Sequence, residues 1–234
     1  MAHWQLTAEI LREIHADDGS ATVSIENRLV NVCAERLPAA GAAIVWMSDS
    51  AEPLIIAATD GVGRSLEDIQ FTLGEGPHVS CSSLRRAVLN SDLETQTVRS
   101  WSGFTREALS LGVKAAFAFP LNVGSINLGV LDIYRVEAGY LSNDQLSMAL
   151  AFAEAATTVL LRSGDSTEPG SLPPGFEAPF LLHAEVHQAT GMIAVQCETD
   201  LRTALVMLRA RAFSDDRPVI DVARDVVSRL KRFE

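Results

Sequence analysis

The sequence lacks the features that mark membrane, secreted and disulfide-bonded proteins. No stretch of its 234 residues approaches the roughly 20 apolar residues that a membrane-spanning helix needs. Its N-terminus, MAHWQLTAEIL, has no basic region followed by a long apolar stretch and is not typical of a secretory signal. The cysteines Cys33, Cys81 and Cys197 are widely spaced and form neither a disulfide framework nor a metal-binding motif. These absences predict a cytoplasmic protein with no membrane partner.

Motifs for nucleotide or phosphate chemistry are also absent from the sequence. It has no glycine-rich nucleotide-binding loop, and it lacks the acidic cluster at a strand end that a phospho-receiver domain needs. His183 and His187 have the spacing of a two-histidine metal site, but no third ligand is evident nearby. We therefore expect packing or surface histidines, no metal, no resident cofactor and no catalytic residues.

The net charge of −11 is confined to the first three quarters of the chain. Residues 1–178 hold 11 basic and 22 acidic residues, whereas residues 179–234 hold eight of each. From Leu201 onward there are eight basic and five acidic residues. An acidic body with a locally basic tail is compatible with a nucleic-acid partner for the tail only, and it excludes a uniformly basic nucleic-acid-binding protein.

Hydrophobic periodicity predicts an α+β domain in the first part of the chain. Helical patterns cover four segments: 3–16, 22–37, 101–112 and 141–163. Apolar, β-branched runs form two pairs: 41–48 with 53–59, and 113–124 with 125–136. Because short links join the members of each pair, we expect antiparallel hairpins and an antiparallel sheet with helices on one side. The remaining segment, 72–93, is predicted to be loop-rich with a turn from Gly74 to Pro77.

The C-terminal segment predicts an all-α bundle of three short helices. Each helix has an apolar stripe of four residues: Leu182, Val186, Ala189 and Ile193; Leu201, Leu205, Leu208 and Ala212; Val219, Val222, Val226 and Leu230. Thr199 followed by Asp200 predicts a helix start, and Pro218 predicts the next one. The preceding segment 164–178 is rich in glycine and proline and is predicted to be a linker. The predicted domains are therefore 1–163 and 179–234.

Three motifs in residues 41–163 resemble those of a GAF domain, a small-molecule sensor module: LGEGP at 73–77, FPL at 119–121 before a glycine turn, and GVLDIYR at 129–135 before a long helix. The resemblance implies a pocket for an unknown small molecule, bordered by His78 and Cys81. Other side chains that could line it, or simply fill the core, are aromatic: Trp101, Phe104, Phe119 and Tyr134.

The segment from Leu182 to Leu230 resembles an ANTAR domain, an RNA-binding antitermination module. The match consists of Ala189-Thr190-Gly191, then Ala204 with Leu208-Arg209 and Ala212, then Arg217 with Val222-Ala223. The family often has lysine where this chain has Thr190, whose hydroxyl can still bond a phosphate or ribose. The resemblance implies that RNA hairpin loops are bound by polar and basic residues: Gln188, Thr190, Gly191, Arg209, Arg211, Arg217 and Arg224. Gly191, inside a helix, further predicts a close helix approach or contact with a ligand backbone.

Together the two resemblances predict a transcription antitermination regulator rather than an enzyme. The helix 141–163 carries Leu146, Leu150, Ala153 and Thr157 at helical spacing and is expected to pair in a homodimer, or else to cover the sheet. Two alternatives remain at this stage. One is a redox enzyme built on the GAF fold that uses Cys81, and the other is a protein-interaction adaptor that binds no RNA.

Overall fold

The computed structural model describes residues 3–16, 23–47, 53–95, 101–165, 184–215 and 217–233. They belong to two compact units whose main boundary in the chain lies between residues 175 and 176. Most of the predicted linker and the histidine His183 lie outside the described residues. Among the described helices, none is long and apolar enough to cross a bilayer.

Among the residues that the structure describes, the first unit has six helices and five strands. Its helices are α1 (His3–His15), α2 (Ile25–Arg36), α3 (Val62–Leu73), α4 (Pro77–Leu84), α5 (Ser102–Ser110) and α6 (Asn143–Asp165). Its strands are β1 (Gly41–Trp46), β2 (Leu54–Ala58), β3 (Val88–Asn90), β4 (Ala115–Val123) and β5 (Ile126–Arg135). The strands form one antiparallel sheet in the order β2-β1-β5-β4-β3. The predicted hairpins β1–β2 and β4–β5 are confirmed, and Gly124 forms the second turn with a φ of +60°.

Strand β5 lies at the centre of the sheet and presents different side chains to its two faces. Because side chains alternate along a strand, Asp132 and Tyr134 point to one face while Leu131 and Ile133 point to the other. The helix α4 covers the first face, where Cys81 clusters with Ala118 and Val130. The second face is apolar and is covered by α2 and α6, with α1 packed across them. The prediction of helices on one side only is therefore wrong.

The long helix α6 begins with a reciprocal cap formed by Ser142 and Gln145. The Ser142 hydroxyl accepts from the Gln145 backbone N–H at 3.2 Å, and the Gln145 side chain accepts from the Ser142 N–H at 3.0 Å. Its inner residues are largely alanine, including Ala149, Ala155 and Ala156, all fully buried. Small side chains on several sides of one helix let both the sheet and α1 approach it closely.

The prediction that 72–93 is mostly loop is wrong apart from its turn. The segment contains the end of α3, all of α4 and the short strand β3. Pro77 starts α4 at its first turn, a position that proline tolerates. The helix α4 is rich in serine and shows no clear apolar period, whereas α3 has apolar residues at regular helical spacing: Val62, Leu66, Ile69 and Leu73. The helix α3 was therefore detectable from its sequence, and α4 was not.

The described part of the second unit consists of three helices, α7 (Ala184–Gln196), α8 (Leu201–Ser214) and α9 (Val219–Val227). Each of them packs against the other two. Most residues of the predicted stripes are buried, but Leu201 is 60% exposed and Leu230 is 81% exposed. Both lie at the end of a stripe, outside the central contacts, and Leu182 lies outside the described residues. The N-cap of α8 is Asp200, which accepts from the Thr203 N–H at 2.9 Å, rather than Thr199.

Candidate functional site

Five polar side chains meet on the α4 face of the sheet, and we call them the polar cluster: Glu67, Gln70, His78, Asp132 and Tyr134. Glu67 and Gln70 lie one turn apart on α3, whereas His78 lies in the first turn of α4. Asp132 and Tyr134 are two residues apart on β5 and therefore share a face. All five side chains are buried, at no more than 1% exposure.

The contacts within the polar cluster converge on His78 and Glu67. His78 Nδ1 lies 3.0 Å from Glu67 Oε2 and 3.2 Å from Asp132 Oδ2. The Tyr134 hydroxyl donates to Glu67 Oε1 at 2.5 Å, and Gln70 Nε2 donates to the Tyr134 oxygen at 2.7 Å. These are short, fully buried contacts, so they hold each group in one position.

The turn between α3 and α4 explains the LGEGP motif in physical terms. Gly74 and Gly76 have φ values of +67° and +138°, which side chains other than glycine rarely adopt. A Cβ atom on Gly76 would lie 2.2 Å from Gln70 Oε1, the atom that accepts the His78 backbone N–H at 3.0 Å. Glu75, between the two glycines, accepts from the Phe104 backbone N–H at 2.8 Å and so satisfies the start of α5. The motif places His78 and anchors two helices.

Burial and close charges shift the pKa values of three members of the polar cluster. Burial alone lowers the pKa of His78, but hydrogen bonds and charges from Asp132 and Glu67 outweigh it and raise that pKa to about 9. Burial and the charge of Glu67 raise the pKa of Asp132, against the effect of His78. Burial, together with Asp132 and Glu67, raises the pKa of Tyr134 well above its usual value. The raised pKa values of His78 and Asp132 mean that the folded protein holds protons in the cluster. These protons reduce the negative charge that two ionised carboxylates would otherwise bury.

The structure brings together only part of the predicted ligand pocket. His78 and Tyr134 belong to the polar cluster, and Cys81 follows on the next turn of α4. Trp101 and Phe104 pack edge to face at 6.1 Å, and Trp101 Nε1 donates to the Ser80 hydroxyl on α4 at 2.8 Å. Phe119 pairs with Leu131 across the sheet, so it lies on the face opposite Asp132. That residue does not share a site with the other five.

Sequence analysis missed Glu67, Gln70 and Asp132, although one of them carried a usable signal. Asp132 stands in the otherwise apolar part of GVLDIYR, where a lone acid in a central strand indicates a specific partner. Glu67 and Gln70 carry no such signal, because polar residues at this spacing are ordinary on an exposed helix face. Only the packing of α3 shows that they point inward.

Cys81 lacks the environment of a redox-active thiol. The residue is fully buried, and burial together with the charge of Asp132 raises the pKa of its thiol. A nucleophilic cysteine needs the opposite shift, toward the thiolate, and access to its substrate. Cys33, Cys81 and Cys197 are all free thiols, so Cys81 has no disulfide partner in this structure.

One of the three predicted RNA-binding residues in α7, Thr190, is buried. Thr190 is only 4% exposed, and its hydroxyl donates to the Val186 carbonyl at 2.7 Å. The expectation that this hydroxyl bonds a phosphate or ribose is not met in this conformation, because its proton is used within the helix. Gly191 has open space where a Cβ would stand, so it does not mark a close approach of the helices. Gln188 is exposed.

The predicted basic residues of the second unit are held in ion pairs at its surface. Arg211 contacts Asp215 at 3.1 Å, and Arg217 contacts Asp225 at 2.6 Å. Arg224 lies 3.3 Å from Asp221 and 3.5 Å from Glu185. The side chains of these three arginines are 40–57% exposed, whereas Arg209 is half-buried.

A groove of about 300 Å³ in the second unit is lined by three cationic side chains and one aromatic side chain, and we call it the basic groove: Arg211, Lys231, Arg232 and Phe233. Lys231 forms an ion pair with Asp215, which also holds Arg211. The Phe233 backbone N–H donates to Gln196 Oε1 at 3.0 Å and fixes the chain end beside α7. Arg211 is among the RNA-binding residues predicted from the sequence, and the other three residues of the groove follow the last helix.

The comparisons with known proteins identify a fold. No protein-family model matches the sequence, and no curated protein matches it. The GAF domain of a phosphoenolpyruvate-protein phosphotransferase from Acinetobacter is 14% identical, with a TM-score of 0.52 over 70% of this chain and 98% of that one. The GAF domain of such an enzyme from Coxiella burnetii is 16% identical, with a TM-score of 0.51 over 70% and 98%. The α+β sheet domain therefore has the GAF fold that its motifs predicted.

Proposed function

We propose that this protein is an RNA-binding regulator of transcription antitermination. In this proposal the GAF-fold unit senses a signal or mediates dimerisation, and the second unit binds RNA hairpins as an ANTAR-like domain. The observation that carries the proposal is the basic groove, in which Arg211, Lys231 and Arg232 surround Phe233. We assign the protein no catalytic activity, and the burial of Cys81 disfavours the redox alternative.

The chemistry of the basic groove suits an unpaired RNA loop. Bases that are not stacked in a helix can stack on an aromatic ring such as that of Phe233, and phosphates bind nearby cations. The surrounding unit repels RNA less than the rest of the chain does, because residues 1–178 hold twice as many acidic as basic residues. The groove is therefore the favoured place for the first contact with a hairpin loop.

The surface ion pairs of the second unit provide further phosphate contacts by exchange. Arg217 and Arg224 are paired with carboxylates, but pairs at this exposure contribute little to stability. A phosphate can replace Asp225 or Asp221 as the partner, because each aspartate makes a single contact and a phosphate can accept two hydrogen bonds from one guanidinium. In this proposal the carboxylates keep the arginines extended until RNA arrives.

A homodimer would place two such surfaces on one transcript. The predicted stripe on α6 is only partly available in the protomer, since Ala153 is 6% exposed while Leu150 is 44% exposed. The helix α1 packs on α6 and carries a second exposed apolar side chain, Trp4, which is 66% exposed. We propose that α1 and α6 form the dimer contact, which raises the effective concentration of the second unit near two adjacent hairpins.

The test is a titration of the full-length protein with hairpin RNAs at two salt concentrations. Binding should weaken as salt rises, and Lys231→Ala should lower the slope of log affinity against log salt by about 1 for each lost phosphate contact. Phe233→Ala should weaken loop binding with little change in that slope, because stacking releases no counterions. The matched control is Arg106→Ala, an exposed arginine of the first unit. Absence of RNA binding by the dimeric protein at low salt would overturn the proposal.

A protein-interaction adaptor is the second candidate, and one observation favours it. In the second unit Val195, Phe213 and Leu230 are 81%, 74% and 81% exposed, and exposed apolar side chains mark protein-interaction sites where they form one patch. An adaptor would use this apolar surface, show no RNA affinity at any salt concentration and lose its protein partner in Phe213→Ala. The salt titration of the full-length protein separates these two functions.

A further inference from the structure

We propose that the polar cluster of the first unit binds one divalent transition-metal ion through Glu67, His78 and Asp132. The site lies between α3, α4 and the central strand β5, on the face of the sheet that α4 covers. This inference concerns the first unit alone and does not depend on RNA binding by the second.

The spacing of the three side chains matches that of ligands around one ion. Their ligand atoms all lie within 4.8 Å of one another, with His78 Nδ1 at 3.0 Å from Glu67 Oε2 and 3.2 Å from Asp132 Oδ2. Nitrogen and oxygen ligands bind metals at about 2.0–2.2 Å, so two ligands of one ion lie about 3.0–3.4 Å apart. A shared ion needs only small side-chain movements.

Hydrogen bonding alone leaves this cluster incompletely satisfied. His78 Nδ1 carries at most one proton, which it can donate to Glu67 or to Asp132 but not fully to both. Asp132 is 0% exposed, no hydrogen bond of good geometry to its oxygens is found among the described residues, and its contact with His78 Nδ1 at 3.2 Å competes with that of Glu67 at 3.0 Å. A buried carboxylate that must share its donor is costly, and a bound cation would remove that cost.

Charge balance favours a divalent ion in the same position. Glu67 and Asp132 are both fully buried, and no Lys or Arg forms a described ion pair with either of them. Two carboxylates and a neutral imidazole carry a charge of −2, which one divalent ion would neutralise. Protonation of His78 alone leaves one negative charge buried.

The remaining members of the polar cluster hold the proposed ligands in place. The Tyr134 hydroxyl donates to Glu67 Oε1 at 2.5 Å, which turns Oε2 toward His78. Gln70 accepts the His78 backbone N–H at 3.0 Å and donates to Tyr134 at 2.7 Å. Supporting contacts of this kind orient the ligands of protein metal sites.

The donor set indicates the class of metal. One imidazole with two carboxylates suits Zn²⁺, Mn²⁺ or Fe²⁺, whereas Ca²⁺ and Mg²⁺ prefer sites made of oxygen ligands only. We therefore expect Zn²⁺ or Mn²⁺ to bind and Ca²⁺ to fail at the same concentration. Because the site is buried, exchange of the ion should be slow.

The experiment uses the full-length protein, treated with a chelator and then supplied with Zn²⁺, Mn²⁺ or Ca²⁺. After gel filtration we expect one Zn²⁺ or Mn²⁺ per chain, and a rise of the unfolding midpoint by about 5 °C or more when the ion is in large excess over its Kd. Asp132→Asn and Glu67→Gln should abolish both effects. Both variants should fold without metal, since each removes a buried negative charge.

Two controls make the result decisive. Glu26→Gln changes another buried acid, on α2, and His187→Gln removes the histidine of the predicted two-histidine spacing; both should retain the ion. In ¹⁵N spectra of the imidazole rings, Zn²⁺ should shift Nδ1 of His78 specifically. If Zn²⁺ binding is unchanged in Asp132→Asn, or if the wild-type protein retains no ion, the polar cluster is a proton-sharing network and the metal assignment is wrong.

Discussion

The two units place the same kinds of charged side chains in opposite environments. In the first unit His78 contacts two carboxylates at no more than 1% exposure. In the second unit Arg217 contacts Asp225 at 40% and 27% exposure. Water screens the second pair, but the first group must satisfy its charges from within the protein. Charge in the first unit is therefore tied to the stability of the fold, whereas the exposed pairs of the second unit contribute little to it.

The largest expected effect comes from removing the centre of the polar cluster. His78→Leu leaves Glu67 and Asp132 buried without the imidazole, which we expect to lower the free energy of unfolding by about 3–5 kcal/mol at pH 8. The measurement is chemical denaturation of the chelator-treated protein. The double variant His78→Leu/Asp132→Asn should recover a large part of the loss, because it removes one of the two carboxylates that are left buried without the imidazole. If it recovers nothing, the loss comes from packing rather than from charge.

A second prediction concerns the turn that positions His78. Gly76→Ala should lower the free energy of unfolding by about 3 kcal/mol, because the new methyl group meets Gln70 in a backbone conformation that alanine disfavours. Gly139→Ala is a matched control, since Gly139 has a φ of +141° but open space at the Cβ position. We expect a smaller loss of about 1 kcal/mol there. Equal losses would show that backbone conformation, and not the contact with Gln70, requires glycine in LGEGP.

The polar cluster should also make the stability of metal-free protein fall as pH rises. The pKa of His78 is raised to about 9 from an ordinary value of 6.5, so its contribution is complete below pH 6.5 and is lost toward pH 9. The raised pKa of Asp132 acts in the same direction at lower pH, because the folded state again binds the extra proton. The groups that face His78 are Glu67 and Asp132, with the Cys81 thiol and the Tyr134 hydroxyl nearby.

Thermal unfolding between pH 6 and pH 9 measures this effect. We expect the unfolding midpoint of chelator-treated wild-type protein to fall by about 5 °C more than that of Asp132→Asn. Taking the difference between the two proteins cancels the titration of groups elsewhere in the chain. A midpoint that falls equally in both would show that Asp132 does not contribute to the raised pKa of His78.

The sequence predicted the parts of the fold that depend on regular periodicity. The two hairpins and the helices α1, α2, α5 and α6 follow from apolar patterns and turn glycines, and the GAF motifs indicated the right fold. The helix α4 was not predicted because its short, serine-rich sequence has no apolar period, and α3 was not predicted although its apolar residues are regularly spaced. Hydrophobic period detects a helix only where burial and apolarity coincide. The candidate site was missed because its inward-facing residues on α3 and α4 are polar and stand outside any apolar pattern.

Prediction of the second unit succeeded for its core and was less informative for its surface. The spacing of Val186, Ala189 and Ile193 is sufficient to find a buried stripe. Spacing does not show where a side-chain hydroxyl donates or which carboxylate pairs with an arginine. Thr190 therefore turned out to be buried, and Arg217 turned out to be paired with Asp225 eight residues away. Such contacts depend on how the helices pack, which no local pattern encodes.

The smallest effect on stability should come from Arg217→Ala in the second unit. Its pair with Asp225 is exposed, so we expect the unfolding midpoint to change by less than about 2 °C. The same variant should weaken RNA binding and lower its salt dependence, because a guanidinium that phosphate could bind in place of Asp225 is lost. Arg217→Lys keeps the charge and should retain most of the affinity. A large loss of stability with unchanged RNA affinity would reverse the contrast between the units, since this surface pair would then be structural rather than exchangeable.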